Sequence, residues 1–297
     1  MILLLLAPPF FFALTNPIDN KLTRFEGLKK TSTLVFLFAF CNVLFAPILF
    51  VIHPPVLPPL ETLPFLFMVG VIDVCYLFPY FMSYKYLDTS IVAALFSLGK
   101  IFTPILAFLI VGEELGAHQY AGFFAVVIAS VFLSLEKGAK FKLNLGFWLM
   151  LLSAGLATIG GVVVKKMTFD FDWISLFFYR TLSSTLASLA ILTGGENRKS
   201  LGESLRWNSF KRWVPWVSLG TLVQVFGMIS FIVAVSFLPI TLVETGLSFQ
   251  PFLVLAVSYL FYKKLLGSKI WESQTSVIRK VICFIIMVGG TTLLIWR

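Results

Sequence analysis

Residues 89–116 read TSIVAALFSLGKIFTPILAFLIVGEELG, and this stretch decides the fold class. It is predominantly apolar over about 20 residues, which is long enough for a helix to cross a bilayer. One full charge, Lys100, lies in its middle, and Pro104 follows on the same helical face. A lysine at the centre of a membrane helix costs about 2.5–3.5 kcal/mol on insertion scales. We therefore expect the rest of the chain to shelter and use Lys100.

The composition of the whole chain is that of a membrane protein. Of its 297 residues 59% are hydrophobic and 12% are charged, and the mean hydropathy is +0.95. A soluble domain carries about 25% charged residues. The net charge is +9, but the basic residues lie in short loops between apolar stretches, so no basic face for nucleic acid is expected. The expected partners are the lipid bilayer and a small-molecule substrate.

The apolar stretches predict an all-α polytopic protein with ten transmembrane helices. Lysine and arginine are concentrated in every second loop, beginning with the loop after the first span. By the positive-inside rule, this alternation places both termini on the non-cytoplasmic side of the membrane, for which we expect the bacterial plasma (inner) membrane. The predicted spans are 1–18, 31–52, 63–85, 89–111, 118–135, 145–164, 172–194, 213–236, 239–262 and 277–296.

An internal repeat relates the two halves of the chain. Sliding the sequence by about 151 residues lays Pro64 on Pro215 and Leu87 on Leu238, without a gap. We predict a first five-helix repeat over 1–138 and a second over 139–297. Because five is odd, the second repeat enters the membrane upside down. Inverted repeats with a site at the bilayer midplane are a recurring plan of secondary transporters.

Several short motifs lie at the ends and in the middle of the predicted spans. They are YLDTSIVAAL (86–95), Pro104, GEELG (112–116), YAGFFAVVIASVFL (120–133), FLPITLVETGL (237–247) and VICFIIMVGGTTLLI (281–295), with Lys21 and Lys165 ending the first and sixth helices. With these motifs the chain resembles the drug/metabolite transporter superfamily, and in particular its ten-helix EamA-like members.

The resemblance implies a metabolite transporter and covers nearly the whole chain. The sequence departs from the family where Tyr262-Lys263-Lys264 replaces a second Gly-Glu and where Asn16-Pro17-Ile18-Asp19 replaces the usual Trp-Gly. Family members also commonly have cytoplasmic termini.

Several polar residues are predicted to lie at membrane depth. Asp73 and Lys100 are each roughly 20 Å from the turn near Leu87, so an ion pair between them is expected. Gln224 is the repeat partner of Asp73. We predict a substrate site from these and neighbouring residues, with Asp73 and Glu244 as candidates for a coupling proton. The predicted substrate-binding residues are Asp73, Tyr76, Tyr80, Ser97, Lys100, Arg180, Gln224, Glu244, Ser248, Gln250, Asn42 and Asn16.

Several of these assignments have structural alternatives. Tyr76 and Tyr80 either wall a cavity or pack against other aromatic side chains. Arg180 either reaches the headgroups or faces the interior beside Ser183 and Ser184. For the two asparagines, a hydrogen bond between helices is as good an explanation as contact with a ligand.

No enzyme motif was found in the sequence. It has no HExxH, no phosphate-binding loop of the G-x-x-x-x-G-K-[ST] type, no G-x-S-x-G elbow and no metal-ligand spacing, so we expect no enzyme, cofactor or metal. The first functional hypothesis is a secondary transporter, as an exporter or exchanger, of a small polar or charged metabolite, possibly an amino acid, working by alternating access. The alternatives are a flippase for a lipid-linked sugar or amine, and a non-transporting scaffold in which Asp73 and Lys100 are merely paired. The chain is expected to be a monomer or a homodimer.

Overall fold

A computed structural model describes residues 2–87, 89–134, 144–257 and 277–296. Within these ranges the protein consists of helices and connecting turns, without a β-strand, as predicted. The α-helices are α1 (Ile2–Leu22), α2 (Thr31–Val43), α3 (Ala46–Leu49), α4 (Leu63–Ser83), α5 (Thr89–Gly99), α6 (Thr103–Val111), α7 (Ala117–Ser134), α8 (Leu145–Met167), α9 (Trp173–Leu189), α10 (Gly195–Ser204), α11 (Trp207–Phe237), α12 (Ile240–Leu247), α13 (Gln250–Val257) and α14 (Val277–Ile295).

The described helices account for each of the predicted spans. In that part of the chain, 7 segments are long and apolar enough to cross a membrane. Three shorter apolar segments, Ala117–Phe132, Ile240–Val254 and Ile282–Ile295, correspond to the fifth, ninth and tenth predicted spans. The prediction of an all-α polytopic membrane protein is therefore confirmed. The end of the ninth predicted span and the Tyr262-Lys263-Lys264 segment lie outside the described residues.

The fourth and ninth spans are each broken in the middle, which the sequence analysis did not predict. In the fourth span a short 3-10 turn, Lys100–Phe102, separates α5 from α6. In the ninth span Ser248 and Phe249 separate α12 from α13. Pro104 and Pro251 follow these breaks, and each lacks the N–H that a continuous helix needs. Broken helices at membrane depth are tolerated where protein or a cavity surrounds them.

Side-chain caps explain where α8 and α9 begin. The Asn144 side chain accepts a hydrogen bond from the backbone N–H of Phe147, at 3.0 Å. The Asp172 carboxylate accepts from the backbone N–H groups of Ile174 and Ser175, at 2.9 and 3.1 Å. Burial raises the pKa of the Asp172 carboxyl, but the hydrogen bonds from Ser175 and Ile174 and the nearby His53 together lower it, so the net shift is downward.

Replacing Asp172 with alanine is expected to destabilise the protein by about 0.5–2 kcal/mol, because α9 loses its N-cap. Asp172→Asn is the matched control, since asparagine caps helices about as well. A group whose pKa is lowered by folding stabilises above its unfolded pKa and loses that effect as the pH falls. The difference between wild type and Asp172→Ala in melting temperature should therefore shrink at acid pH. A larger loss for Asp172→Asn than for Asp172→Ala would contradict the capping role.

Each helix of the first half packs mainly against a helix of the second half. The helix pairs are α1 with α11, α2 with α9, α4 with α8 and α9, α5 with α8, and α7 with α14. The pairs α1–α11 and α4–α8 correspond under the predicted repeat, as do the two members of α7–α14. The division at residues 138 and 139 stays a prediction, but the packing has the symmetry that two related halves would produce.

One end of the bundle collects two of the basic loops. Lys30 is paired with Glu196 at 3.3 Å, and Thr33 and Ser200 share a hydrogen bond of 2.8 Å. These contacts join the loop after α1 to α10, which lies in the polar segment between the seventh and eighth spans. The two loops therefore lie on the same side of the membrane. This agrees with the predicted spans, because an even number of spans, the second to the seventh, separates them.

Candidate functional site

A polar cavity lies between the two halves. Its larger part, of about 100 Å³, is lined by six aromatic side chains among 15 residues, together with Asp19, and we call it the aromatic compartment. A second part, of about 80 Å³, is lined by two ion pairs, and we call it the ionic compartment. A pocket of about 20 Å³ adjoins the ionic compartment beside Asn42. Tyr76 and Gln224 line all three spaces and so mark where they meet.

Asp73 and Arg180 form a bidentate ion pair in this cavity. Arg180 Nε and Nη2 donate to the two carboxylate oxygens of Asp73, at 2.7 and 2.8 Å. The Ser184 hydroxyl donates a further hydrogen bond to Asp73, at 3.2 Å. Parallel N–H···O bonds of this kind are among the stronger ones in proteins. Arg180 therefore faces the interior, and the alternative in which it reaches the headgroups is excluded.

This pair depends on a close approach of α4 to α9 at Gly70. A Cβ atom added to Gly70 would lie 2.4–2.6 Å from backbone and side-chain atoms of Ser183 and Ser184. Only glycine lets the two backbones come this near, and Asp73 follows on α4 three residues later. The glycine thus positions the carboxylate against the arginine.

Lys100 and Glu244 form a second buried pair. Lys100 Nζ lies 3.6 Å from Glu244 Oε2, and the lysine side chain is 2% exposed. Lys100 Nζ otherwise has no hydrogen-bond partner in the described structure. One long contact leaves this pair less well satisfied than the Asp73–Arg180 pair. Of the two, it is the pair that a bound molecule can open more easily.

The predicted ion pair between Asp73 and Lys100 is wrong, because each residue has another partner. Both residues line the ionic compartment, but distance from the turn does not say which way a side chain points around its helix. α4 packs against α9, so Asp73 meets Arg180, whereas Lys100 lies at the break after α5 and meets Glu244 on α12. Each pair consequently joins one half of the chain to the other.

Asp19, Asn16 and two tyrosines form a polar cluster in the aromatic compartment. The Tyr80 hydroxyl lies 2.8 Å from Asp19 Oδ2, 3.0 Å from Asn16 Oδ1 and 2.8 Å from the Tyr84 hydroxyl. Gln250 Nε2 donates to Asn16 Oδ1 at 3.4 Å. Phe12 and Phe96 complete the wall of the compartment. The cluster has one carboxyl group, and the residues lining the compartment include no lysine, arginine or histidine.

Most of the predicted binding residues line these spaces. Two do not: Ser97 and Ser248 are buried, and their hydroxyls donate to the backbone carbonyls of Ala93 and Glu244 within their own helical turns. Both serines are close in sequence to lining residues, Ser97 to Lys100 and Ser248 to Glu244. Neither serine lines the cavity itself. The lining residues among those predicted are Asp73, Tyr76, Tyr80, Lys100, Arg180, Gln224, Glu244, Gln250, Asn42 and Asn16.

The sequence analysis missed Asp19 as a site residue. It ended the first span at residue 18, whereas α1 continues to Leu22 and buries Asp19. Asp19 follows Asn16 by three residues, which places both on one helical face. That spacing was the available indication. Phe12 and Phe96 were missed because one phenylalanine among the 33 of the chain carries little information.

Several buried polar atoms at the cavity wall have no hydrogen-bond partner in the described structure. They include Asn16 Nδ2, Asp19 Oδ1, Lys100 Nζ and Gln224 Oε1, and Asn42 Oδ1 in the adjoining pocket. Buried polar groups in proteins are nearly always paired, with protein or with ordered water. Unpaired groups that converge on one cavity are what a site for a polar ligand and its water requires.

The end of the bundle opposite the basic loops is held by Glu113 and Lys165. Gly112 ends α6 in the left-handed conformation, with φ of 74°. The Glu113 carboxylate then accepts from the backbone N–H groups of Ile240 and Thr241, at 2.9 and 3.1 Å, and from the Thr241 hydroxyl. Lys165 donates to the carbonyl of Val235 at 2.6 Å and to that of Leu238 at 3.1 Å. The Gly-Glu motif therefore caps α12 and lies away from the cavity.

Glu113→Ala is expected to lower stability by about 1–2 kcal/mol, because α12 loses a charged N-terminal cap from the other half of the chain. The neighbouring exposed residue Glu114 offers a matched control, and Glu114→Ala should change the melting temperature of the detergent-purified protein very little. Equal losses for the two variants would show that the cap on α12 contributes nothing measurable.

The described residues contain no group of three or more histidine, cysteine, aspartate or glutamate side chains placed to hold a metal ion.

Buried charges around a cavity between membrane helices mark a functional site, and membrane transporters are one class that has them. The model of the EamA-like transporter family matches residues 1–135. This match confirms the resemblance inferred from the sequence and supports membership of the drug/metabolite transporter superfamily. The family is one of transporters rather than of enzymes.

Two further similarities agree with this assignment. Protein LicB of Haemophilus influenzae is 25% identical over 195 residues, which are 61% of this chain and 63% of LicB. The alignment thus spans less than two thirds of LicB. A solved structure, described only as a crystal structure of protein, superposes with a TM-score of 0.65 at 14% identity and covers 99% of this chain and 94% of its own. At 14% identity this similarity supports a shared fold and carries no information about function.

Proposed function

We propose that the protein is a secondary transporter that moves a small zwitterionic metabolite, such as an amino acid, by alternating access. The coarse function, a membrane transporter of the drug/metabolite transporter type, follows from the family. The observation that supports the substrate class is the Lys100–Glu244 pair, which offers both signs of charge to one cavity at 3.6 Å separation.

The proposed substrate replaces this weak pair with two better contacts. A substrate carboxylate binds Lys100 Nζ, which has no hydrogen-bond acceptor of its own in the described structure. A substrate ammonium group binds Glu244. Opening the pair for a zwitterion keeps both buried charges compensated, whereas a singly charged molecule leaves one of them alone. The less polar part of the substrate extends past Gln224 toward Phe96 in the aromatic compartment.

Loop charges support the proposed setting in the membrane. We propose a bacterial plasma membrane with both termini on the non-cytoplasmic side, so that the basic end around Lys30 and α10 is cytoplasmic. The Glu113–Lys165 end is then non-cytoplasmic. Labelling of single cysteines introduced at Lys166 and at Lys199 with a membrane-impermeant reagent in intact cells tests this orientation. Reaction at Lys166 alone agrees with it, and reaction at Lys199 alone reverses it.

A ligand screen followed by a flux measurement tests the function. The purified protein is heated with amino acids, amines, nucleotides and sugar phosphates, and compounds that raise its melting temperature are tested as radiolabelled substrates in proteoliposomes. We expect zwitterionic amino acids to stabilise the protein and to accumulate. Stabilisation by amines or by sugar phosphates alone would overturn the zwitterion assignment, and movement of a lipid-linked compound instead would favour a flippase.

A further inference from the structure

We propose that Asp19 carries a proton in this conformation and is the carboxyl group that couples proton movement to transport. The coupling part of this inference rests on the proposed function, whereas the protonation of Asp19 does not. The observation behind it is the hydrogen-bond pattern around Tyr80, in which a single hydroxyl lies close to three other oxygen atoms.

The first step of the argument counts hydrogens around Tyr80. A phenolic hydroxyl donates one hydrogen bond and accepts up to two. If Asp19 is ionised, the Tyr80 hydrogen points to Asp19, and the 3.0 Å contact between Tyr80 Oη and Asn16 Oδ1 then has no hydrogen between its two acceptors. Turning the Asn16 amide over supplies a donor to Tyr80, but the Gln250 amide must then turn as well, so that its oxygen accepts from Asn16.

A protonated Asp19 satisfies these contacts without turning either amide. Its carboxyl O–H donates to Tyr80 Oη at 2.8 Å, and Tyr80 donates to Asn16 Oδ1 at 3.0 Å. Tyr84 donates to Tyr80 at 2.8 Å, so that Tyr80 accepts two hydrogen bonds and donates one. Every short contact in the cluster then has one hydrogen, and Gln250 keeps its acceptor.

Burial and charge point the same way. Asp19 is 5% exposed, and its Oδ1 has no hydrogen-bond partner in the described structure. No described lysine, arginine or histidine nitrogen lies within 4.0 Å of it. An ionised carboxylate with one donor and no cation costs several kcal/mol when buried, and such a group takes up a proton instead.

The charged groups on the surrounding helices do not compensate Asp19. On α4, Asp73 is bound to Arg180, and on α12 Glu244 is bound to Lys100, which follows α5. The titratable groups on α4 that face Asp19 are Tyr80 and Tyr84, with Tyr76 at the junction of the compartments. α11 and α13 contribute the uncharged Gln224 and Gln250 to the compartment. The basic groups nearest in sequence are engaged elsewhere: Lys21 Nζ lies 3.4 Å from the centre of the Trp216 ring, and Arg24 Nε donates to Asn20 at 3.1 Å.

Release of the proton requires the Tyr80 hydroxyl to rotate and the amides of Asn16 and Gln250 to turn over. The O–H bond of the Asp19 carboxyl breaks, and the proton passes to water in the cavity. The Tyr80 hydrogen then rotates from Asn16 to Asp19, which gives the new carboxylate a donor at 2.8 Å. The two coupling candidates inferred from the sequence, Asp73 and Glu244, are less suited to this step, because each already has a cation that holds its charge.

Infrared spectroscopy of the purified protein tests the protonation without any substrate. We expect a carbonyl band of a protonated carboxyl group near neutral pH that Asp19→Asn removes. Asp170→Asn, at an exposed loop position, is the matched control and should keep the band. Tyr80→Phe provides a second test in a chain that keeps Asp19, since loss of the acceptor hydroxyl should shift the band. A wild-type spectrum that Asp19→Asn leaves unchanged would overturn the inference.

Proton release tests the coupling. The compound that stabilises the protein most in the ligand screen is added to weakly buffered protein with a pH-sensitive dye. We expect protons to be released or taken up by wild type and by Asp170→Asn, and not by Asp19→Asn. An unchanged proton signal in Asp19→Asn, or none in wild type despite bound compound, would overturn the coupling role. Failure of every compound in the screen would count against the proposed function, while the infrared result would still decide the protonation.

Discussion

Asp73→Ala is expected to be the most destabilising single substitution in the cavity, at about 3–5 kcal/mol, because it leaves the Arg180 guanidinium buried without a counter-charge. Both side chains of the pair are at most 11% exposed, so water cannot replace the lost carboxylate in the resting structure. The measurement is the melting temperature of the detergent-purified protein, with the amount of folded protein in the membrane fraction as a second readout.

A double variant separates charge from packing at this pair. Asp73→Leu combined with Arg180→Met removes both charges and fills similar volumes, and such replacements are often neutral or stabilising. We expect the double variant to regain the melting temperature of wild type. The exposed pair Lys30–Glu196 is the control, since Lys30→Ala should change stability little. A double variant as unstable as Asp73→Ala would show that the side chains act through packing rather than charge.

Lys100→Ala is expected to abolish transport, because it removes the proposed contact for the substrate carboxylate. It also leaves Glu244 buried without a cation and can lower the amount of folded protein. Lower uptake would then not be specific evidence for a role in substrate binding. Lys100→Met combined with Glu244→Gln keeps the cavity neutral and close to its original volume, and we expect it to fold and to be inactive. Initial rates of uptake in proteoliposomes, at matched protein content, measure the effect.

Lys85 offers the matched control for Lys100. It is exposed beyond the end of α4, and Lys85→Ala should leave uptake unchanged. Uptake by the neutral double variant at the wild-type rate would exclude Lys100 and Glu244 from substrate binding. The scaffold hypothesis predicts recovery of function when Asp73 and Lys100 are neutralised together, but its premise fails because these two residues are not paired.

The fold was largely predictable because bilayer crossing has a strong physical requirement. A span needs about 20 apolar residues, so composition and length locate the helices without knowledge of their packing. The turn near Leu87 and the rise of a helix likewise predicted that Lys100 and Asp73 lie near one another, and both line the ionic compartment.

The pairing within the site was not predictable, because it depends on rotation about each helix and on which helices are neighbours. These follow from close contacts such as that of Gly70 with Ser183, which the apolar pattern of a buried membrane helix does not reveal. Asp19 shows a different limit. The predicted first span ended at residue 18, four residues before the end of α1, and Asp19 was considered only as part of a departure from the family's motif.

Both ion pairs have one member in residues 1–138 and the other in 139–297, and this has a consequence for the empty carrier. In the alternating-access mechanism proposed above, rocking of one half against the other separates Asp73 from Arg180 or Lys100 from Glu244 while they are still shielded from water. Without a molecule that supplies replacement charges, that separation exposes bare ions to a low-dielectric interior and raises the barrier. We therefore expect the pairs to act against slippage by keeping the unloaded protein from cycling.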